Sequence, residues 1–102
     1  MISRSADVAS RVLYHWTRPR DVESILAHGL RDSTYEPRGV HLSEHPTLHP
    51  HPGDVRITVY LPMELDISRW INPIELPGAR DYVIPEGVLR VHARLEGPES
   101  SP

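Results

Sequence analysis

The sequence lacks cysteine, lysine and phenylalanine altogether. Without cysteine, a disulfide scaffold, a thiolate metal site and a cysteine nucleophile are all excluded. All 11 cationic residues are arginine, so a Schiff-base lysine and a phosphate-loop lysine are excluded as well. Because phenylalanine is absent, we expect Trp16 and Trp70 to serve as large packing residues.

Long hydrophobic runs are also missing. No apolar stretch approaches the roughly 18 residues that a membrane-spanning helix needs. The first five residues do not form the apolar core of a signal peptide, so we expect a cytoplasmic location and no membrane partner. The net charge of -3 argues against a protein that coats nucleic acid, although it leaves room for a local basic groove.

The length and composition favour one small globular domain. The chain has 102 residues, of which 38% are hydrophobic and 25% are charged, a balance typical of soluble globular proteins. We predict a single domain over residues 1–95, with about eight loose residues at its start. Residues 96–102 are rich in glycine, proline and serine and predict a flexible tail.

One helix is predicted, over residues 19–28. Thr17 can cap its start, Pro19 falls in its first turn, and Gly29 can end it. Its apolar face is formed by residues spaced three and four apart, which are Val22, Ile25 and Leu26.

The remaining regular segments indicate strands. Alternation of apolar and polar residues is clearest over 55–61 and 89–95, since apolar side chains there occupy every second position. Further strands are predicted at 11–16, 39–43 and 81–84. A strand, one helix and four strands predict an α+β fold with a largely antiparallel sheet or a split β-sandwich.

Seven histidines raise the question of a metal site. Four of them are close in sequence, at His41, His45, His49 and His51. Prolines interrupt any helix that would bring this group together, and no cysteine or conventional zinc spacing supports it. We therefore expect no metal site, and a solvated loop of histidine and proline instead.

Four short segments, taken in order, resemble the ADP-ribosyltransferase superfamily. The resemblance is to the poly(ADP-ribose) polymerase catalytic core, DarT-like transferases and NAD-dependent RNA 2′-phosphotransferases, and it spans about residues 12–94. The segments are Leu13-Tyr14-His15-Trp16-Thr17, Ile25-Leu26-Ala27-His28-Gly29-Leu30-Arg31, Gly39-Val40-His41-Leu42-Ser43 and Arg80-Asp81-Tyr82-Val83-Ile84-Pro85.

The resemblance implies a minimal split antiparallel β-sandwich that uses NAD as co-substrate, moves ADP-ribose to a macromolecular acceptor and releases nicotinamide. His15 matches the first histidine of the family's triad, which contacts a ribose hydroxyl. Trp16 and Thr17 match the residues that hold the nicotinamide amide. His41 matches the second triad position, and Asp81 matches the catalytic glutamate.

Three further residues are expected in the NAD site, namely Ser43, Arg31 and Arg38. The planar fork of arginine suits the pyrophosphate of NAD. Rifampin-modifying transferases use an aspartate in a different local sequence, so Asp66 remains an alternative to Asp81 as the catalytic carboxylate.

Two other functions stay open from the sequence. With histidine at both early triad positions, the chain resembles an RNA 2′-phosphotransferase, which moves an RNA phosphate onto NAD. A module that binds NAD, ADP-ribose or a protein without catalysis would need only a degenerate pocket. The acceptor is a protein or a nucleic acid, and a partner chain such as an antitoxin is compatible with a toxin role.

Overall fold

The computed structural model describes residues 10–34, 36–46, 52–72 and 80–98. The segment predicted to be loose, at the start of the chain, lies outside these ranges. The regular elements, in chain order, are β1 (Ser10–Thr17), a 3₁₀ turn (Pro19–Asp21), α1 (Val22–His28), β2 (Val40–Ser43), β3 (Val55–Pro62), a second 3₁₀ turn (Ser68–Trp70), β4 (Asp81–Ile84), α2 (Glu86–His92) and β5 (Arg94–Glu96).

The described strands form one antiparallel sheet in the order β4-β2-β1-β3-β5. This confirms the predicted α+β class and the antiparallel pairing. Strand β1 lies at the centre and pairs with β3 along its whole length, from Ser10 to Thr17. With β2, however, β1 shares a single register pair, Tyr14 and Ser43. The sheet therefore consists of two halves, β1-β3-β5 and β2-β4, that meet at one point.

One face of the sheet carries the core. Every second residue of β3 is buried because side chains alternate between the two faces of a strand. The two helices cover this face through the partly buried Val22, Ile25 and Val88 and the buried Leu89. Burial of one such aliphatic side chain contributes about 1.5–3 kcal/mol. The fully buried side chains include Leu13, Ile57, Val59 and Leu61.

The predicted helix over 19–28 is confirmed as a 3₁₀ turn followed by α1. The predicted cap is wrong, because Thr17 ends β1 and Arg18 occupies the N-cap without a side-chain hydrogen bond. At the other end, Gly29 has a φ of 91°, a value that glycine adopts readily because it has no Cβ. The following residue, Leu30, folds back and is buried.

The predicted strand over 89–95 is wrong over most of its length, because residues 86–92 form helix α2. Leu89 is 4% exposed whereas Val91 is 76% exposed, so the two do not share a face as strand alternation would require. The helix begins after Pro85, and its first backbone N–H, on Glu86, is bonded by a side chain 54 residues away. The residues next to Glu86 in the sequence therefore do not reveal this cap.

Strand β5 ends at Glu96, so the sheet reaches one residue into the segment predicted as a tail. Glu96 pairs with Thr58 of β3, and Gly97 and Pro98 follow it. Residues 99–102 lie outside the described residues. Within the described part of the chain, neither helix is long and apolar enough to cross a membrane.

We expect Gly39→Ala to destabilise the fold by about 1–3 kcal/mol. Gly39 has a φ of 146°, and a Cβ there would lie 2.6 Å from Cγ1 of Val83 on the neighbouring strand. Urea unfolding measures the loss. Gly87→Ala in α2 is the matched control, because its Cβ meets no atom within 4 Å. If both variants unfolded at the same midpoint urea concentration, the result would contradict the close approach of Gly39 to β4.

Candidate functional site

The candidate site begins where β1 and β2 diverge. Beyond the pair of Tyr14 with Ser43, the two strands have no further register pair. There the imidazole of His15 reaches across, and its Nδ1 lies 2.9 Å from the carbonyl oxygen of His41. Because a carbonyl only accepts, Nδ1 is the donor and carries the hydrogen. At the split, β1 and β2 are thus connected by a hydrogen bond from the His15 side chain to the β2 backbone.

Burial lowers the pKa of His15 from its ordinary value of 6.5. The hydrogen bond to His41 and the charge of Asp54 act in the opposite direction but are smaller than the effect of burial. His15 is therefore neutral at neutral pH. With the hydrogen on Nδ1, the Nε2 lone pair is an acceptor, which is the property needed to bind a sugar hydroxyl.

A cleft of about 420 Å³ opens beside His15, within the size range of small-molecule sites. Its walls come from the end of β1, from α1 and from the residues that follow α1. Thr17 and Ser24 bring hydroxyl groups to this cleft, and Arg31 brings a guanidinium. A neutral imidazole, hydroxyl groups and one planar cation are suited to a ligand that carries both sugar and phosphate.

The second histidine, His41, has its ring tied to the loop that precedes β2. Its Nε2 lies 3.1 Å from the carbonyl oxygen of Pro37 and 3.4 Å from Oγ of Ser33. Since the Pro37 carbonyl only accepts, Nε2 donates to it. The ring is therefore oriented by its own loop, while its backbone carbonyl accepts from His15.

Asp81 lies opposite Ser43 in the pairing of β2 with β4, and His41 lies opposite Val83. Residues two apart on a strand share a face, so Asp81 and His41 are diagonal neighbours on one face, about 7–8 Å apart. The Oδ1 atom of Asp81 is buried, and no donor among the described residues bonds to it. Buried carboxylate oxygens are usually hydrogen-bonded, so this oxygen lacks, among the described residues, the partner that such atoms normally have.

Asp66, the alternative to Asp81, has a carboxylate that is hydrogen-bonded within its own turn. Its Oδ1 accepts from the backbone N–H and the hydroxyl of Ser68, at 3.0 and 2.7 Å, and these bonds lower its pKa. The charge of Arg11 contributes to the same shift. Arg11 is four residues before His15 on β1, which corresponds to about 13 Å. The structure thus gives Asp66 a turn-stabilising contact. Asp81 pairs with Ser43, which pairs with Tyr14 at the split, so the side chain of Asp81 lies on the face of Tyr14, opposite the face of His15.

The other predicted site residues do not all gather at the cleft. Ser43 is buried, and its Oγ accepts the backbone N–H of His45. Trp16 follows His15 on the strand, so its side chain points to the opposite face and lines an outer cavity with Thr17. Arg38 lies in an exposed loop, with its Nε 3.5 Å from a carboxylate oxygen of Glu36.

Sequence reasoning missed a clasp beside the cleft, formed by Asp32 and Glu86. Asp32 N–H donates to Oε1 of Glu86 at 2.7 Å, and Glu86 N–H donates to Oδ1 of Asp32 at 2.8 Å. The reciprocal bonds fix the segment that follows Arg31 against the start of α2. No local pattern could reveal this pair, because the partners are 54 residues apart.

We expect the stability of the protein to fall as the pH drops below 6.5, in part through His15. Its folded pKa is lower than its unfolded value of 6.5, so the unfolded chain binds more protons in that interval. One such group contributes at most about 1.4 kcal/mol per pH unit. Urea unfolding between about pH 7 and pH 5 measures the slope. It should be shallower in His15→Asn, and an unchanged slope would contradict the neutral buried imidazole.

Within the described residues, no group of three or more histidine, aspartate or glutamate side chains is arranged to hold a metal ion. In comparisons with known proteins, no protein-family model, no curated protein and no solved structure matches the chain.

Proposed function

We propose that this protein is a minimal ADP-ribosyltransferase that binds NAD in the cleft beside His15. The observation that carries the proposal is the split between β1 and β2, where the His15 imidazole bonds to the His41 carbonyl beside a cleft of small-molecule size. The two half-sheets, joined at a single pair, support a split sheet of the ADP-ribosyltransferase type.

In this proposal each cleft residue has a defined role toward NAD. Nε2 of neutral His15 accepts a hydrogen bond from a ribose hydroxyl, and Arg31 contacts the pyrophosphate. The hydroxyl of Thr17 lies on the same cleft wall and binds the nicotinamide side. The clasp of Asp32 with Glu86 holds Arg31 in position, since it fixes the adjoining backbone.

Asp81 supports the chemical step. The bond between ribose C1′ and the nicotinamide nitrogen breaks, and its electron pair leaves with nicotinamide. Positive charge develops at C1′ and is stabilised by the Asp81 carboxylate. The acceptor then forms a bond to C1′, and its proton passes to the carboxylate.

A second candidate function is NAD binding without turnover. It is favoured by the placement of the binding groups, because His15, Thr17 and Arg31 line the cleft while Asp81 lies on the next half of the sheet. A degenerate pocket would keep the first three residues and lose the chemical step.

Nicotinamide release from NAD by the purified protein, measured by chromatography beside a thermal-shift assay, tests both functions. Release supports the transferase. A higher melting temperature with NAD but no release supports the binding module. Loss of phosphate from a 2′-phosphorylated RNA, with NAD present, would instead indicate the 2′-phosphotransferase. If NAD caused no thermal shift and no nicotinamide were released, the result would contradict an NAD site in this cleft.

A further inference from the structure

The half of the sheet formed by β1, β3 and β5 has an outer face, which lies opposite the core. Both helices pack on the core side of the sheet. Val12 lies on the central strand β1, and yet 37% of its surface is exposed. The outer face thus presents apolar surface to solvent. Its side chains are Val12, Tyr14 and Trp16 of β1, Arg56, Thr58 and Tyr60 of β3, and Arg94 and Glu96 of β5.

The composition of the outer face is that of a protein–protein interface. Three of its eight side chains are aromatic and two are arginine. Tyrosine, tryptophan and arginine are the residue types enriched at such interfaces and among the residues that contribute most to binding. The three aromatic side chains are only half-buried in the single chain, so further apolar area remains to be covered.

Contacts within the chain already order these side chains. The guanidinium of Arg56 is 4.9 Å from the ring centre of Tyr14, and that of Arg94 is 4.2 Å from the ring centre of Tyr60. The Tyr60 hydroxyl donates to Oε1 of Glu96 at 2.9 Å. Because immobilising a flexible side chain opposes association, an ordered face loses less entropy when a partner covers it.

The charges around the outer face are balanced. A groove of about 550 Å³ runs over this face and joins the outer cavity of about 860 Å³ at the end of β1. A surface with balanced charges does not select a strongly acidic or strongly basic partner, but it is compatible with itself, since an arginine of one copy can meet a carboxylate of the other. The charged residues that line the groove and the cavity are Arg18, Arg20 and Arg56, and Asp21, Asp54 and Glu96.

The size of the surface matches a small interface. The groove and the outer cavity together have 18 lining residues. A standard interface uses about 20–30 residues and about 800 Å² on each partner, so this surface corresponds to about 600 Å² per copy and about 1,200 Å² for two copies. This area lies at the lower end of specific interfaces, and we expect a reversible complex with a Kd of about 1–100 μM.

We propose that this protein forms a two-fold dimer through the outer face, with the two sheets stacked about 10 Å apart. The stack removes Val12 and the aromatic rings of both copies from water. Asp81 lies on β4, at the opposite edge of the sheet, and the side chain of His15 points to the core side, so neither belongs to the interface. The dimer does not rest on the proposed function.

Sedimentation velocity of the full chain, from about 1 to about 500 μM without NAD, tests the dimer across the expected Kd. The weight-average mass should rise from that of the monomer to twice that value and stop there, because a two-fold contact closes on itself. A monomer at every concentration would overturn the proposal and leave the outer face to a different partner. Growth beyond the dimer would also overturn it.

Substitution locates the interface. Val12→Glu brings a like charge from each copy to the same contact, so the Kd should rise at least about ten-fold. Val91→Glu is the matched control, because Val91 is 76% exposed on α2, on the other side of the sheet. Urea unfolding checks that both variants are folded. Equal weakening by the two variants would overturn the assignment to the outer face.

The unsubstituted chain gives a second measurement, which does not depend on the folding of Val12→Glu. Amide NMR spectra are recorded at about 20 and about 500 μM, on either side of the middle of the expected Kd range. Shifts with concentration should occur at Val12, Thr58 and Tyr60, and the amides of Gly87 and Val91 in α2 should not move. Shifts confined to the helices would overturn the proposal even if a dimer formed.

The results for the dimer are separable from those for NAD, since sedimentation is measured without NAD. A dimer without nicotinamide release would support the outer face as an interface and contradict the transferase. Nicotinamide release by a chain that stays monomeric would support the transferase and overturn the dimer.

Discussion

Asp81→Asn is expected to lower nicotinamide release by about a hundred- to ten-thousand-fold. The substitution removes the negative charge that stabilises C1′ but keeps the shape of the side chain. Oδ1 of Asp81 is buried and receives no hydrogen bond within the described residues, so the change breaks no bond to that oxygen among them. Chromatographic measurement of released nicotinamide gives the rate.

Two controls make this prediction specific. Asp66→Asn changes an aspartate whose contacts are with Ser68, and it should leave the rate within a few-fold of the wild type. The NAD-induced thermal shift should persist in Asp81→Asn, because binding is assigned to the cleft residues. Equal losses of activity in both variants, or a loss of NAD binding in Asp81→Asn, would contradict the role given to Asp81.

His15→Leu is expected to lower the free energy of unfolding by about 1–3 kcal/mol and to abolish NAD binding. The leucine removes the donor to the His41 carbonyl, and that oxygen then lacks its 2.9 Å partner at the split. For a small domain whose total stability is about 5–15 kcal/mol, this is a substantial loss. Urea unfolding and calorimetric titration with NAD measure the two effects.

His15→Asn separates the structural effect from the binding effect. An asparagine amide can donate in place of Nδ1, so the bond to His41 is retained and most of the stability with it. The acceptor at Nε2 is lost, so NAD binding should still fail. If His15→Asn bound NAD as well as the wild type, His15 would have a structural role only.

Much of the fold could be predicted because its signals are local. Alternation of side chains over β3 shows in the sequence as apolar residues at every second position. Helix α1 is marked by Pro19 at its start and Gly29 at its end, and these residues act through their own backbone angles. Helix α2 was missed because its start depends on Asp32, which is distant in sequence.

The site was less predictable because it depends on register between distant strands. The resemblance placed His15, His41 and Asp81 in one site, but only the pairing of β2 with β4 shows that His41 and Asp81 share a face. Likewise, the separation of Asp66 from the split follows from its contact with Ser68.

The central claim is that NAD occupies the cleft at the split of the sheet, and a two-dimensional amide NMR titration with NAD tests it most directly. The predicted result is a set of saturable shifts at the amides of His15, Thr17, Gly29 and Arg31, which line the cleft. Residues at the far end of β1, such as Arg11, should not shift. Shifts confined to other surfaces, or none at saturating NAD, would contradict the claim.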